Sequence, residues 1–154
     1  MGLKAEIDWD DVDHMIENFL SDVDKAYFRW YSRLGEECVT LLKSLQTYQD
    51  RTANLRNSIG YVILKNGEVI NSYFPVDYSS AKEESNKNGA EEGKAYADQI
   101  AQSFNSGWVL LVVAGMHYAS YVEEIHHLDV IAPGKDYALN NIEDIKERIV
   151  NELS

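Results

Sequence analysis

The chain has one cysteine, Cys38, among its 154 residues. A single thiol excludes an internal disulfide framework and fits a reducing compartment. Positive charge is scarce as well: 14 Lys and Arg stand against 26 Asp and Glu, for a formal charge of −12. A fold that grips a phosphate backbone over a broad face carries the opposite balance, so no specific nucleic-acid partner is expected. Long apolar runs are missing. The longest, Trp108–Ala114 (WVLLVVA), is far short of the ~20 residues that span a bilayer. The first residues carry acids where a signal peptide needs bases, and Glu6 stands where a myristoylation pattern needs Ser or Thr. Together these absences predict a soluble protein made in the cytosol, with no membrane partner.

Chemical signatures are equally sparse. Neither GxGxxG nor GxxxxGK[ST] occurs, so no phosphate-cradling loop is indicated. HExxH and a glycine-flanked nucleophilic serine are absent. Cys38 falls on the apolar stripe of a predicted helix and reads as a small core residue. The sequence therefore gives no catalytic residues and no cofactor.

What the chain does have is apolar and aromatic mass. Hydrophobic residues make up 45% and aromatic residues 11%, too much for an intrinsically disordered chain despite the charge. The length suits a single domain, residues 1–154. The charge is segregated. Residues 1–24 hold eight acids and one base (net −7), and residues 25–66 hold seven bases and three acids (net +4). Complementary patches of this kind can meet between copies, and they can equally be solvated faces of unrelated elements.

Apolar residues recur at steps of three and four from Val12 through Met15, Ile16, Phe19, Leu20, Val23, Tyr27, Trp30, Leu34, Cys38 and Leu41 to Leu45. Asp8 suits the N-cap, with Asp10 and Asp11 in the first turn. A straight helix of that length would run roughly 50 Å. It outgrows the domain, which predicts either a bend or break near Gly35 or a helix that projects and packs on a neighbour. Ile59–Leu64 and Val69–Phe74 are β-rich runs joined through Asn66-Gly67, the strongest short-range hairpin signal. Residues 76–90 read as a mobile polar loop, and Ala90–Phe104 as a helix with Gly93 as its weak point. Trp108–Ala114 reads as an inner strand buried on both faces. A short helix over His117–Ile125, a brief strand over Leu128–Ile131, a Pro133-Gly134 turn and an amphipathic helix over Tyr137–Leu153 follow. The last helix places Leu139, Ile142, Ile145, Ile149 and Leu153 at helical spacing. The expected fold is α+β: a long N-terminal helical region, a small antiparallel sheet built on the hairpin with helices to one side, and the C-terminal helix.

One cluster invites a metal. His117, Glu123, Glu124, His126 and His127 lie within eleven residues, and two Glu-x-x-His steps occur among them. A carboxylate-bridged centre needs such a step on two separate helices, so the sequence reads more simply as a polar helix end entering a loop. A metal-dependent enzyme using this cluster stays as an alternative, as does a cytosolic α+β adaptor.

Two stretches carry a family resemblance. Asp50–Tyr61 reads DRTANLRNSIGY, and Thr52, Asn54, Leu55, Arg56, Ser58 and Ile59 match a Thr-Gly-x-Leu-Arg-x-Ser-Ile motif. His117–Glu123 reads HYASYVE, and Tyr118, Ala119, Tyr121, Val122 and Glu123 match Tyr-Ala-x-Tyr-Val-Glu. In that order, with a long helix before the first and a hairpin after it, they resemble the tail-completion and head–tail joining proteins of long-tailed bacteriophages. The chain departs from that pattern at Ala53, where the motif has glycine, at Gln49-Asp50-Arg51, at Glu124-Ile125-His126 and in an insertion over residues 75–105. The resemblance implies a non-catalytic virion structural protein, present in the host cytoplasm before assembly. Its partners would be head-connector and tail proteins together with further copies of itself in a ring. From the residues alone, Arg56 is a cation at the base of the hairpin and a natural partner for Glu123. Such a pair would either pin hairpin to helix within one subunit or serve a partner.

Overall fold

Thirty-six consecutive residues, Trp9–Ser44, form one helix, α1, in the computed structural model. The structure describes residues 2, 6–44, 53–79, 81–85, 88–114 and 132–154, with backbone alone for 132–135. The Asp8 carboxylate accepts the backbone N–H of Asp10 at 3.0 Å and of Asp11 at 3.4 Å, the expected N-cap. The helix continues through Gly35 without the expected break. A Cβ at Gly35 would lie 2.7–2.9 Å from the Tyr61 ring, so the glycine serves close approach of helix to sheet. The helix projects instead, since residues 13–22 are all exposed and α1 runs on past the described body of the domain.

After α1 come a single helical turn, α2 (Asn54–Asn57), the strands β1 (Ile59–Lys65) and β2 (Glu68–Tyr73), the helix α3 (Gly89–Ala101), the strand β3 (Trp108–Ala114) and the helix α4 (Ala132–Glu152). The strands form an antiparallel sheet in the order β2-β1-β3. The hairpin is as expected. Asn66 (φ 51°) and Gly67 (φ 82°) both take the left-handed conformation that a tight turn between twisted strands needs. A bulge follows, because Ile63 pairs with Asn71 while Leu64 pairs with Val69.

Two expectations about the sheet are corrected. First, the strand buried on both faces is β1, whose residues from Ile59 to Leu64 are buried. β3 lies beside it as a flanking strand, and six of its seven residues are half-buried. Its uniform apolarity has a physical reason. Leu110 and Val112 pack toward α1, while Val109, Leu111 and Val113 pack toward α3, so both faces have apolar partners without complete cover. Second, helices cover both faces of the sheet. Val39 and Leu42 of α1 meet Ile59, Tyr61 and Ile63 on one face. Ala97 and Ala101 of α3 meet Val62, Leu64 and Val113 on the other.

Gly93 is likewise no weak point. A Cβ there would lie 2.3 Å from the Ser58 carbonyl oxygen, so its bareness lets α3 seat against the chain entering β1. The connection from 74 to 79 has no regular structure, yet it is tied down. Pro75 O accepts Lys43 Nζ at 2.6 Å, and Asp77 N donates to Asn57 Oδ1 at 2.8 Å.

α4 begins at Ala132, so Pro133-Gly134 lies in its first turn, where proline is tolerated, and not in a separate loop. It runs antiparallel to α1: the Tyr137 hydroxyl donates to Glu37 at 2.9 Å, and the Trp30 indole N–H donates to Glu152 at 2.8 Å. Ile145 and Ile149 close a core with Ala26, Leu34 and Cys38. Leu139 stands outside it, 60% exposed, while Tyr137, Ala138 and Ile142 supply the apolar face. The helix expected over His117–Ile125 and the strand over Leu128–Ile131 lie outside the described residues.

Candidate functional site

The described part of the first motif, residues 53–59, forms the turn that leads into β1. Ala53 is fully buried with φ 60° and ψ 6°, left-handed geometry that a side chain seldom adopts. Leu55 and Ile59 are buried. The polar residues beside them are buried too, and each has work inside the fold. Asn54 Oδ1 accepts the N–H of Gly89 and the Tyr78 hydroxyl, both at 3.1 Å. The Ser58 hydroxyl donates to Leu55 O at 2.7 Å. Buried polar groups need such partners; those of Asn54 belong to the segment before α3 and to α3 itself, and that of Ser58 to the turn.

The glycines of α3 complete the contact. A Cβ at Gly89 would fall 2.1 Å from the Asn54 carbonyl oxygen. Gly89, Gly93, Ala97 and Ala101, four residues apart, give the buried stripe of α3, so the helix approaches the motif turn backbone to backbone. The sequence showed the motif but not this stripe, whose signal is the four-residue spacing of small residues.

A polar cluster lies on the solvent side of the turn. Arg56 is half-buried and sits close to Lys43 and Asp77. Burial pushes the Lys43 ammonium below its ordinary pKa; nearby Asp77 opposes that shift and the Arg56 guanidinium adds to it. Hydrogen bonds from Ser79 hold the Asp77 carboxyl below the ordinary carboxylate range, and the two cations reinforce the effect. The cluster is two bases around one acid where α1, the motif turn and the end of the hairpin meet. It offers charge for an interface and no nucleophile–base pair.

Burial, then the neighbouring Glu37 charge, pushes the Cys38 thiol up to about 11, the behaviour of an inert core cysteine. An open groove of about 520 Å³ between α1 and α4 is lined by Arg33, Glu36, Glu37, Thr40, Leu41 and Tyr137. Glu37 there is engaged by both Arg33 (3.1 Å) and Tyr137.

Among the described residues no group of His, Cys, Asp and Glu could hold a metal ion, and no helix is long and apolar enough to cross a membrane. Thr52, the second motif (Tyr118, Ala119, Tyr121, Val122, Glu123) and the cluster of His117, Glu124, His126 and His127 lie outside the described residues. The expected Arg56–Glu123 pair lies outside them as well. No family profile, no curated protein and no solved structure matches the chain.

Proposed function

We propose that this chain is a virion structural protein of a long-tailed bacteriophage, working at the head–tail junction or the tail end by ring assembly and not by catalysis. One observation carries the reading furthest. Ala53, the position where the phage motif has glycine, takes the left-handed conformation that glycine accepts most readily. The departure in residue type is therefore compatible with a turn built on positive φ, and the described motif residues Asn54, Leu55 and Ser58 are buried in that same turn. The order of elements around it supports the reading too: long helix, motif turn, hairpin, apolar strand and terminal helix.

On this reading the partners are head-connector and tail proteins, and the acidic residues 1–24 of one copy lie beside the basic residues 25–66 of the next in a head-to-tail ring. Surplus negative charge would keep a channel wall from holding DNA. The test is to tag the protein, induce particles and locate the tag by gold labelling. Label at the neck or tail end is the expected result. Particles without label, or a chain that binds duplex DNA tightly at moderate salt in an anisotropy titration, would defeat the proposal.

A further inference from the structure

Beyond that role, the exposed part of α1 has the form of half a coiled coil. From Trp9 to Trp30, residues spaced alternately three and four apart are all apolar: Trp9, Val12, Ile16, Phe19, Val23, Ala26 and Trp30. That is an unbroken heptad seam of a and d positions, the pattern that pairs helices side by side. From Ala26 onward the seam is filled by α4, whose Ile145 and Ile149 pack in the same core. Before Ala26 no described residue fills it, although Val12 and Val23 are half-buried. Trp9 is 67% exposed, Ile16 52% and Phe19 53%, and the flanking Met15 and Leu20 are 70% and 56% exposed. A soluble monomer seldom leaves so continuous an apolar strip uncovered.

We infer that the arm Trp9–Val23 pairs with the same arm of a second copy, antiparallel. Three features select this occupant. The seam is self-complementary: with the helices reversed, Val12 stacks on Val23 of the partner subunit and Ile16 on Phe19 of the partner subunit, four layers in all. The charges favour reversal only at the ends of the arm. A parallel pair would set acidic Asp8 against Asp13 of the partner subunit, whereas reversal carries Asp8 toward Arg29 of the partner subunit, an arginine that also pairs with Glu152 of its own chain. Residues 9–23 hold five acids and no base, so the pair should strengthen with salt. The size is sufficient. Five large side chains, each at least half exposed, remove on the order of 500 Å² per copy, which brings the pair to roughly the 1,000 Å² of a specific small interface. The contact does not rest on the virion reading: it closes at two copies, where a ring contact does not, and it competes with that ring contact for residues 9–23.

Sedimentation of the full chain across a concentration series tests the pairing, with Phe19→Asp and Ile16→Asp as variants. Both positions are exposed, so circular dichroism should show the fold unchanged. The expected result is a reversible dimer that each substitution weakens at least tenfold. A nitroxide on Phe28→Cys, on the outer face of the helix, reads direction. Antiparallel pairing places the two labels about 35 Å apart, and parallel pairing about 20 Å. A chain that stays monomeric near 100 μM, a dimer indifferent to both substitutions, or the shorter label distance would overturn the inference.

Discussion

The side-chain oxygen of Asn54 accepts the backbone N–H of Gly89 at 3.1 Å, and a Cβ on that glycine would fall 2.1 Å from the Asn54 carbonyl oxygen. One asparagine therefore both receives α3 and sets how near it must come. Much of what is specific in this fold meets at that contact, because α3 is the lid over one face of the sheet.

Gly93→Ala should destabilise the protein by about 1–3 kcal/mol, although alanine is the better helix former by about 1 kcal/mol. The added methyl would push α3 away from Ser58. Asn54→Ala should cost a similar ~1–3 kcal/mol by leaving the Gly89 N–H buried without that acceptor. Both changes loosen one contact, so the double variant should lose less than the sum. Urea unfolding of the three variants checks this.

Asn66→Gly should also destabilise, although glycine suits a left-handed turn position. Asn66 Oδ1 accepts the N–H of Gly107 at 2.9 Å, while the Asn66 N–H donates to Gly107 O at 2.9 Å. The side chain thus clips the hairpin turn to the chain entering β3. Its loss should cost about 0.5–1.5 kcal/mol in urea unfolding, and a gain in stability would show the clip to be idle.

Cys38 gives a pH signature. Its thiol is held protonated to about 11 in the fold against an ordinary value of 9.0. Between those values the unfolded chain has lost the proton and the native chain keeps it, so unfolding is favoured progressively as pH rises. The stabilisation is complete below about pH 9 and is lost through about pH 11. The cost of Cys38→Ala, read from urea midpoints, should accordingly shrink from pH 8.5 to pH 10.5. In native protein at pH 8 the thiol should react with a maleimide only as fast as the fold opens.

The hairpin, the long first helix and its Asp8 cap are legible in the sequence because each rests on local chemistry: two residues tolerant of positive φ, a periodic stripe, a carboxylate before a helix. The rank of the strands is not. β3 reads as apolar throughout because Val109, Leu111 and Val113 meet α3 while Leu110 and Val112 face α1, yet only the topology places Tyr61 and Val62 at the centre. Gly35 and Gly93 read as points of weakness for the same reason. Sequence shows the missing side chain but not the Tyr61 ring or the Ser58 carbonyl that occupies its place. In the motif, the residue types were visible, whereas the burial of Asn54 and Ser58 depended on α3, which arrives thirty residues later.

The arm of α1 also governs how the molecule moves through water. Some 21 Å of helix beyond the body gives a single copy the friction of an elongated particle. It should leave a gel-filtration column ahead of compact proteins of equal mass. Its tumbling should be anisotropic, with the amide bonds of residues 9–23 aligned near the slow axis and relaxing apart from those of the sheet. Elution volume is then a poor guide to copy number, and light scattering or sedimentation is the measure that separates one long molecule from two.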